Sequence, residues 1–151
     1  QFHSGTTHNI IPDEVFLEGT LRTFSKDVEN KAIKRIKEIT ENIAKSFLAK
    51  SEVSILDGYP ATINSQKETD IASNIASEIV GKENVESNMK HIMGSEDFSF
   101  MLNKIPGAFI FVGQGDEKHN KPCHHAEYDF NDEILPIGTS YWIKLVKNLL
   151  K

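Results

Sequence analysis

Hydrophobic and polar positions change rhythm several times along this chain, and each change marks an element. Residues Val15-Phe16-Leu17-Glu18-Gly19-Thr20-Leu21-Arg22-Thr23-Phe24 run with period-two character. Val15, Leu17 and Leu21 share one face, while Glu18, Thr20 and Arg22 share the other, which predicts a strand over 15–24. Pro12-Asp13 punctuates its approach. The period then lengthens: Val28, Ala32, Ile36, Ile39, Ile43 and Phe47 recur at helical spacing, widened by Ile33 and Ala44. Ser25 stands where an N-cap belongs, with Asp27 and Glu29 in the first turn, where the helix dipole favours anions. Lys31, Lys34, Lys37, Glu38, Glu41 and Lys45 form the solvated face. Glu52–Leu56 alternates again before Asp57-Gly58-Tyr59-Pro60 breaks it, so the first 60 residues read strand, strand, helix, strand.

The remainder follows another pattern. Ile71, Ile75 and Ile79 at four-residue spacing predict a helix near Lys67–Val80 that ends at Gly81. A short strand is expected at Val85–Met89, and a helix opening at Ser95 with Phe98, Met101 and Leu102 facing inward. Ala108-Phe109-Ile110-Phe111-Val112 is an unalternated apolar run between Gly107 and Gly113, the pattern of a strand buried on both faces. A final helix over about Glu133–Leu150 carries Ile137, Tyr141, Leu145 and Leu149. The expected class is α/β (α+β), in two pieces over 1–60 and 61–151. The chain opens Gln1-Phe2-His3 inside an apolar–polar alternation, which reads as entry in mid-strand and as part of a longer polypeptide.

Composition narrows the function. The 151 residues carry 17 Lys+Arg against 22 Asp+Glu, a formal charge of −5, and the basic residues are scattered among acids. Nucleic-acid binding, which needs a clustered basic surface, is therefore not expected. No apolar run nears the roughly 20 residues that span a bilayer, so no membrane partner is expected. Cys123 stands alone, which excludes an intramolecular disulfide and fits a reducing, cytoplasmic compartment.

Three clusters could carry chemistry. Cys123, His124, His125, Glu127 and Asp129 crowd one segment after the apolar run, offering thiolate, imidazole and carboxylate donors. Adjacent side chains rarely share one ion, so the economical reading is a single ligand from this segment, against the plain alternative of a polar surface loop. Met93-Gly94-Ser95-Glu96-Asp97-Phe98 reads first as a helix start, and otherwise as a carboxylate held near a metal or its ligand. In the third cluster, Ser4–Asp13 followed by Gly19-Thr20-Leu21-Arg22, an arginine on a polar strand face suits either solvation or a bidentate clamp on a carboxylate. Gly113-Gln114-Gly115 lacks the further glycine and helix of a nucleotide fingerprint.

Taken in order, the segments at 4–13, 19–22, 93–98, 106–109 (Pro-Gly-Ala-Phe) and 123–132 resemble those of the metal-dependent amidohydrolases and metallopeptidases. This group includes aminoacylases, hippurate hydrolase and indoleacetyl-amino-acid hydrolases. The resemblance covers nearly the whole chain. It implies a helix-covered, mixed-sheet catalytic domain holding two divalent ions, zinc or manganese, with a βαβ-type lid domain that also forms a homodimer contact. Residues 1–60 would be the later part of the lid, and 61–151 the C-terminal part of the catalytic domain. The family's last metal ligand is a histidine four residues before an aromatic. With Tyr128 as that aromatic, the ligand maps to His124 rather than His125. The lid asparagine and arginine that bind a substrate carboxylate map to Asn9 and Arg22, a role that requires residues 5–12 to form a loop rather than a tight hairpin. Glu96 is a candidate for orienting the metal surroundings.

The resemblance also marks what is missing. The segments supplying the other metal ligands, the general base and an earlier lid motif are absent from this sequence. The implied substrates of the complete enzyme are N-acyl amino acids or short peptides with a free carboxylate, and the chain by itself is expected to be inactive. The competing expectations are a stand-alone dimerisation or ligand-binding module without catalysis, and a regulatory domain binding metal through Cys123, His124 and His125.

Overall fold

The structure, a computed structural model, describes residues 1–150 and divides into two compact units, Gln1–Ala61 and Thr62–Lys151. In the first, β1 (Phe2–Ser4) pairs antiparallel with β2 (Val15–Leu17), in the register Phe2↔Leu17, His3↔Phe16 and Ser4↔Val15. The ladder extends one step further, where Glu18 donates its N–H to Gln1 O at 3.1 Å. Residues 5–14 form a loop between the strands, closed at its base by Ser4 Oγ, which donates to Glu14 O at 2.9 Å.

Helix α1 (Lys26–Ser46) begins where the cap predicts, with Ser25 Oγ accepting the Val28 N–H at 3.3 Å. Ion pairs at i,i+3 and i,i+4 lace its polar face, among them Lys26–Glu29, Arg35–Glu38 and Lys45–Glu41. At such exposed positions solvent screens each pair, so they favour the helix only weakly. The helix ends in a Schellman motif, with Leu48 N–H bonded to Lys45 O and Ala49 N–H to Ala44 O. Leu48 takes the left-handed position, at φ +56°. No α1 residue is fully buried, and the apolar stripe through Ile36, Ile39 and Ile43 is only partly covered among the described residues.

The second unit is built on α2 (Gln66–Val80) packed against α4 (Leu135–Leu149). Ala72, Ile75 and Tyr141 form the buried centre, with Ile71, Ala76, Ile79, Ala108 and Leu145 packed around them. Ile75 is only 4% exposed, in keeping with the four-residue isoleucine spacing. Lys144 Nζ reaches Glu78 Oε2 at 2.5 Å across the helix pair. Gly81 ends α2 at φ +87°, donating its N–H to Ser77 O. A short 3-10 turn (Lys82–Asn84) follows, and another (Asp132–Ile134) leads into α4. Between them lies the five-residue α3 (Phe98–Leu102).

Several strand expectations fail, all for one reason. The strand over 15–24 shortens to Val15–Leu17, and 52–56, 85–89 and 108–112 adopt no strand among the described residues. A strand exists only against a partner strand, and residues 19–24, 52–56, 85–89 and 108–112 have none among the described residues. The run at 108–112 is accordingly not buried on two faces, Phe111 being 67% exposed. Among the described residues of the second unit, therefore, no mixed sheet lies under the helices. The helix expected to open at Ser95 starts at Phe98, because residues 95–97 are taken up by the turn that caps it.

Candidate functional site

The segment 113–131 follows the apolar run and is organised around two amides and a carboxylate. Gln114 Oε1 accepts the Tyr128 hydroxyl at 3.1 Å and the Asn131 N–H at 3.2 Å, and Gln114 Nε2 donates to Asp129 O at 3.3 Å. Asn131, 6% exposed, returns the contact: its Nδ2 donates to Gln114 O at 3.1 Å and Asp116 Oδ2 at 3.3 Å. Asn131 Oδ1 accepts the Glu133 N–H at 3.0 Å and so also caps the turn before α4.

Asp116 Oδ1 accepts the backbone N–H groups of Lys118 at 2.7 Å and His119 at 2.6 Å, and both Asp116 carboxylate oxygens lie 2.9 Å from His119 Nδ1. These hydrogen bonds, those from His119 foremost, hold the Asp116 carboxyl down to about 2. On its other side, His119 Nε2 lies 3.9 Å from Asp129 Oδ2. Desolvation, with the Cys123 sulfur next in effect, raises the Tyr128 hydroxyl above its ordinary range.

His124 lies in the middle of this loop, in the left-handed region at φ +71°. For a residue with a Cβ that conformation is uncommon and holds only where the surroundings impose it. The turns on either side do so: His125 N–H bonds Pro122 O, Tyr128 N–H bonds His125 O, and Glu127 N–H bonds His125 Nδ1 at 3.0 Å. The His125 ring is thus used inside the loop. The exposed His124 ring makes no hydrogen bond or ion pair among the described residues.

Glu96 serves the start of α3. Its Oε1 accepts the Phe98 N–H at 3.4 Å, and its carbonyl accepts the hydroxyl of the fully buried Ser99 at 2.6 Å. No bond joins it to His124 among the described residues. In the first unit, Asn9 lies in the 5–14 loop, its Oδ1 accepting the Thr7 hydroxyl at 3.0 Å, and Arg22 is exposed beyond β2 with no ion pair among the described residues. No group of three or more His, Cys, Asp or Glu side chains among the described residues is placed to hold a metal ion. As a donor set the loop supplies one uncommitted imidazole, which fits a single ligand to a metal completed from elsewhere.

Sequence reasoning gives no role to Asp116 or His119, and takes in Gln114 and Asn131 only as members of longer segments. Asp-x-x-His and Asn-x-Glu are local turn and cap signals that could have been read at 116–119 and 131–133. The ties from 114 to 129 and 131 span too much sequence to be seen in any window.

Residues 5–148 match the model of peptidase family M20/M25/M40. The chain belongs to that family. Among its curated relatives, thermostable carboxypeptidase 1 of Saccharolobus solfataricus is 34% identical over 139 residues, covering 90% of this chain and 34% of the relative. Hippurate hydrolase of Campylobacter jejuni is 29% identical, over 99% of this chain and 38% of the relative. The M20 chain is also similar to the crystal structure of the Bacillus subtilis YXEP protein, described as a dinuclear metal-binding peptidase of the M20 family. That likeness has a TM-score of 0.84 at 28% identity, covering 99% of this chain and 40% of that one. The M20 chain thus spans a little over a third of the length of the relatives it matches. It shares their mixed α/β architecture, and the relatives named are hydrolases.

Proposed function

We propose that this chain is the later part of a metal-dependent amidohydrolase or carboxypeptidase, in which His124 is one ligand of a two-metal site. The observation that carries the reading is the uncommitted His124 ring, four residues before Tyr128, in a loop whose other groups are engaged in holding it. The chemistry such cations, zinc or manganese, supply is Lewis acidity, which acidifies water and polarises an amide carbonyl. The general base and remaining ligands belong to segments outside this sequence.

In this reading the first unit is part of a lid and dimerisation domain, and the second is the end of the catalytic domain. Arg22, exposed and unpaired, and Asn9 bind the carboxylate of an N-acyl amino acid or short peptide, with Arg22 supplying the bidentate contact. Their loop context supports this, since residues 5–14 are not a tight hairpin. Glu96 acts through the start of α3 rather than on substrate. The working enzyme is a homodimer in a reducing cytoplasm, as the lone cysteine suggests.

Two measurements test the proposal together. Intact mass of the protein from its native source is expected well above the 17.0 kDa of this chain. That full-length protein is expected to release amino acid from N-acyl substrates in a chelator-sensitive reaction, while the 151-residue chain releases none. A native mass of 17.0 kDa with no metal-dependent hydrolysis would leave a non-catalytic module as the better account.

A further inference from the structure

We propose that Gln114, Asp116, His119 and Asn131 form a brace whose task is to present His124, with His119 as its positioning residue. The proposal rests on the reading of His124 as a metal ligand and adds residues that the family likeness does not assign.

The geometry is that of a loop tied at its base. One hydrogen-bonded network joins 114–119 to 128–133: Gln114 to Tyr128, Asp129 and Asn131, Asn131 back to Gln114 and Asp116, and Asp116 to His119. Everything between, residues 120–127, hangs from that knot, and His124 is in its middle. Tying the two ends removes most of the conformational freedom the intervening residues would have, the same effect that makes loop closure costly in an unfolded chain. The His119 side chain is mostly covered, 20% exposed, and spans the knot, with Nδ1 on Asp116 and Nε2 facing Asp129. Inside the loop the His125 ring, the Pro122 carbonyl and the Lys121–Glu127 pair at 3.3 Å hold the turn around His124, and none of them uses the His124 imidazole. A left-handed, non-glycine residue with an idle ring, in a loop whose neighbours are all engaged, is what a presented ligand requires.

The test compares His119→Ala with His119→Asn, whose amide nitrogen stands near the position of the imidazole Nδ1 and so can still donate to Asp116. In the 151-residue chain, the backbone order parameter of His124 is expected near about 0.85 in the wild type. It is expected below about 0.6 in His119→Ala, with recovery in His119→Asn. In the full-length protein, His119→Ala is expected to weaken zinc affinity about 10–100-fold, the usual effect of removing a group that orients a ligand, and His119→Asn to restore most of it. Asp116→Asn, a near-isosteric change at a more exposed side chain, serves where His119→Ala fails to fold, and is expected to loosen His124 in the same direction.

Unchanged order at His124 and unchanged zinc affinity in both His119→Ala and Asp116→Asn would overturn the brace. So would a His119→Asn variant no better than alanine. Failure of the functional reading looks different: the wild-type full-length protein itself then shows no chelator-sensitive hydrolysis, whatever the order at His124.

Discussion

Asn64 holds Phe109 as a facing strand would: its Nδ2 donates to Phe109 O at 2.9 Å and its Oδ1 accepts the Phe109 N–H at 2.8 Å. Beside it, Ser65 N–H bonds Gly107 O at 2.9 Å and Ser65 Oγ accepts the Gly107 N–H at 3.2 Å. Two residues ahead of α2 thereby anchor the start of the apolar run, whose aromatic rings then pack Phe98 against Phe109 at 5.7 Å and Phe109 against Phe111 at 5.2 Å. Replacing Asn64 by alanine removes both bonds and is expected to cost about 1–2 kcal/mol. Chemical denaturation measures this, with faster amide exchange at Phe109 as its local signature.

The end of α2 makes a sharper demand. Gly81 sits at φ +87°, ψ 145°, a region closed to residues with a Cβ, and a Cβ there would collide with the Glu83 carboxylate. The carboxylate can swing away, but the backbone cannot. Gly81→Ala is expected to destabilise by about 1–3 kcal/mol, seen as a lower denaturation midpoint with an unchanged slope.

Leu48 presents the opposite case. It occupies the left-handed position of the Schellman motif that closes α1, is 99% exposed, and gains nothing there from its side chain. Leu48→Gly relieves the backbone strain, offset in part by the greater freedom of glycine in the unfolded chain. The net expectation is a gain of about 0.5–1 kcal/mol in stability by thermal or chemical unfolding.

Acid sensitivity follows from Asp116, whose carboxyl is held down to about 2 from an ordinary value of 3.8, chiefly by hydrogen bonds from His119. Because the folded value is the lower one, the stabilisation is fully present above about 4 and is lost as the pH falls through about 2. A carboxyl-carbon NMR titration is expected to show Asp116 with a midpoint near 2. A midpoint near 4 would mean that the His119 contacts do not persist in solution.

The helices of this chain were legible in its sequence because their determinants are local. Ser25 caps α1 at the expected place, Ile71, Ile75 and Ile79 line up at the spacing of one helix face, and Gly81 stops α2 at the residue expected. Of the strands, the opening pair was legible in part, as β1 and the start of the 15–24 segment, whereas 108–112 forms no strand among the described residues and its start is held by Asn64 and Ser65 instead. The candidate site divides the same way. The resemblance points to His124 through its place relative to Tyr128, whereas the network around it depends on Gln114 meeting Asn131 across 17 positions, which no periodicity encodes.

The most direct test of the account is metal content per chain in the full-length protein, measured for wild type and for His124→Ala after removal of weakly held ions. The account predicts two divalent ions in the wild type, with one lost in His124→Ala together with chelator-sensitive amide hydrolysis. Equal metal content and equal hydrolysis in the two proteins would contradict it, because His124 would then be a surface histidine in a well-braced loop.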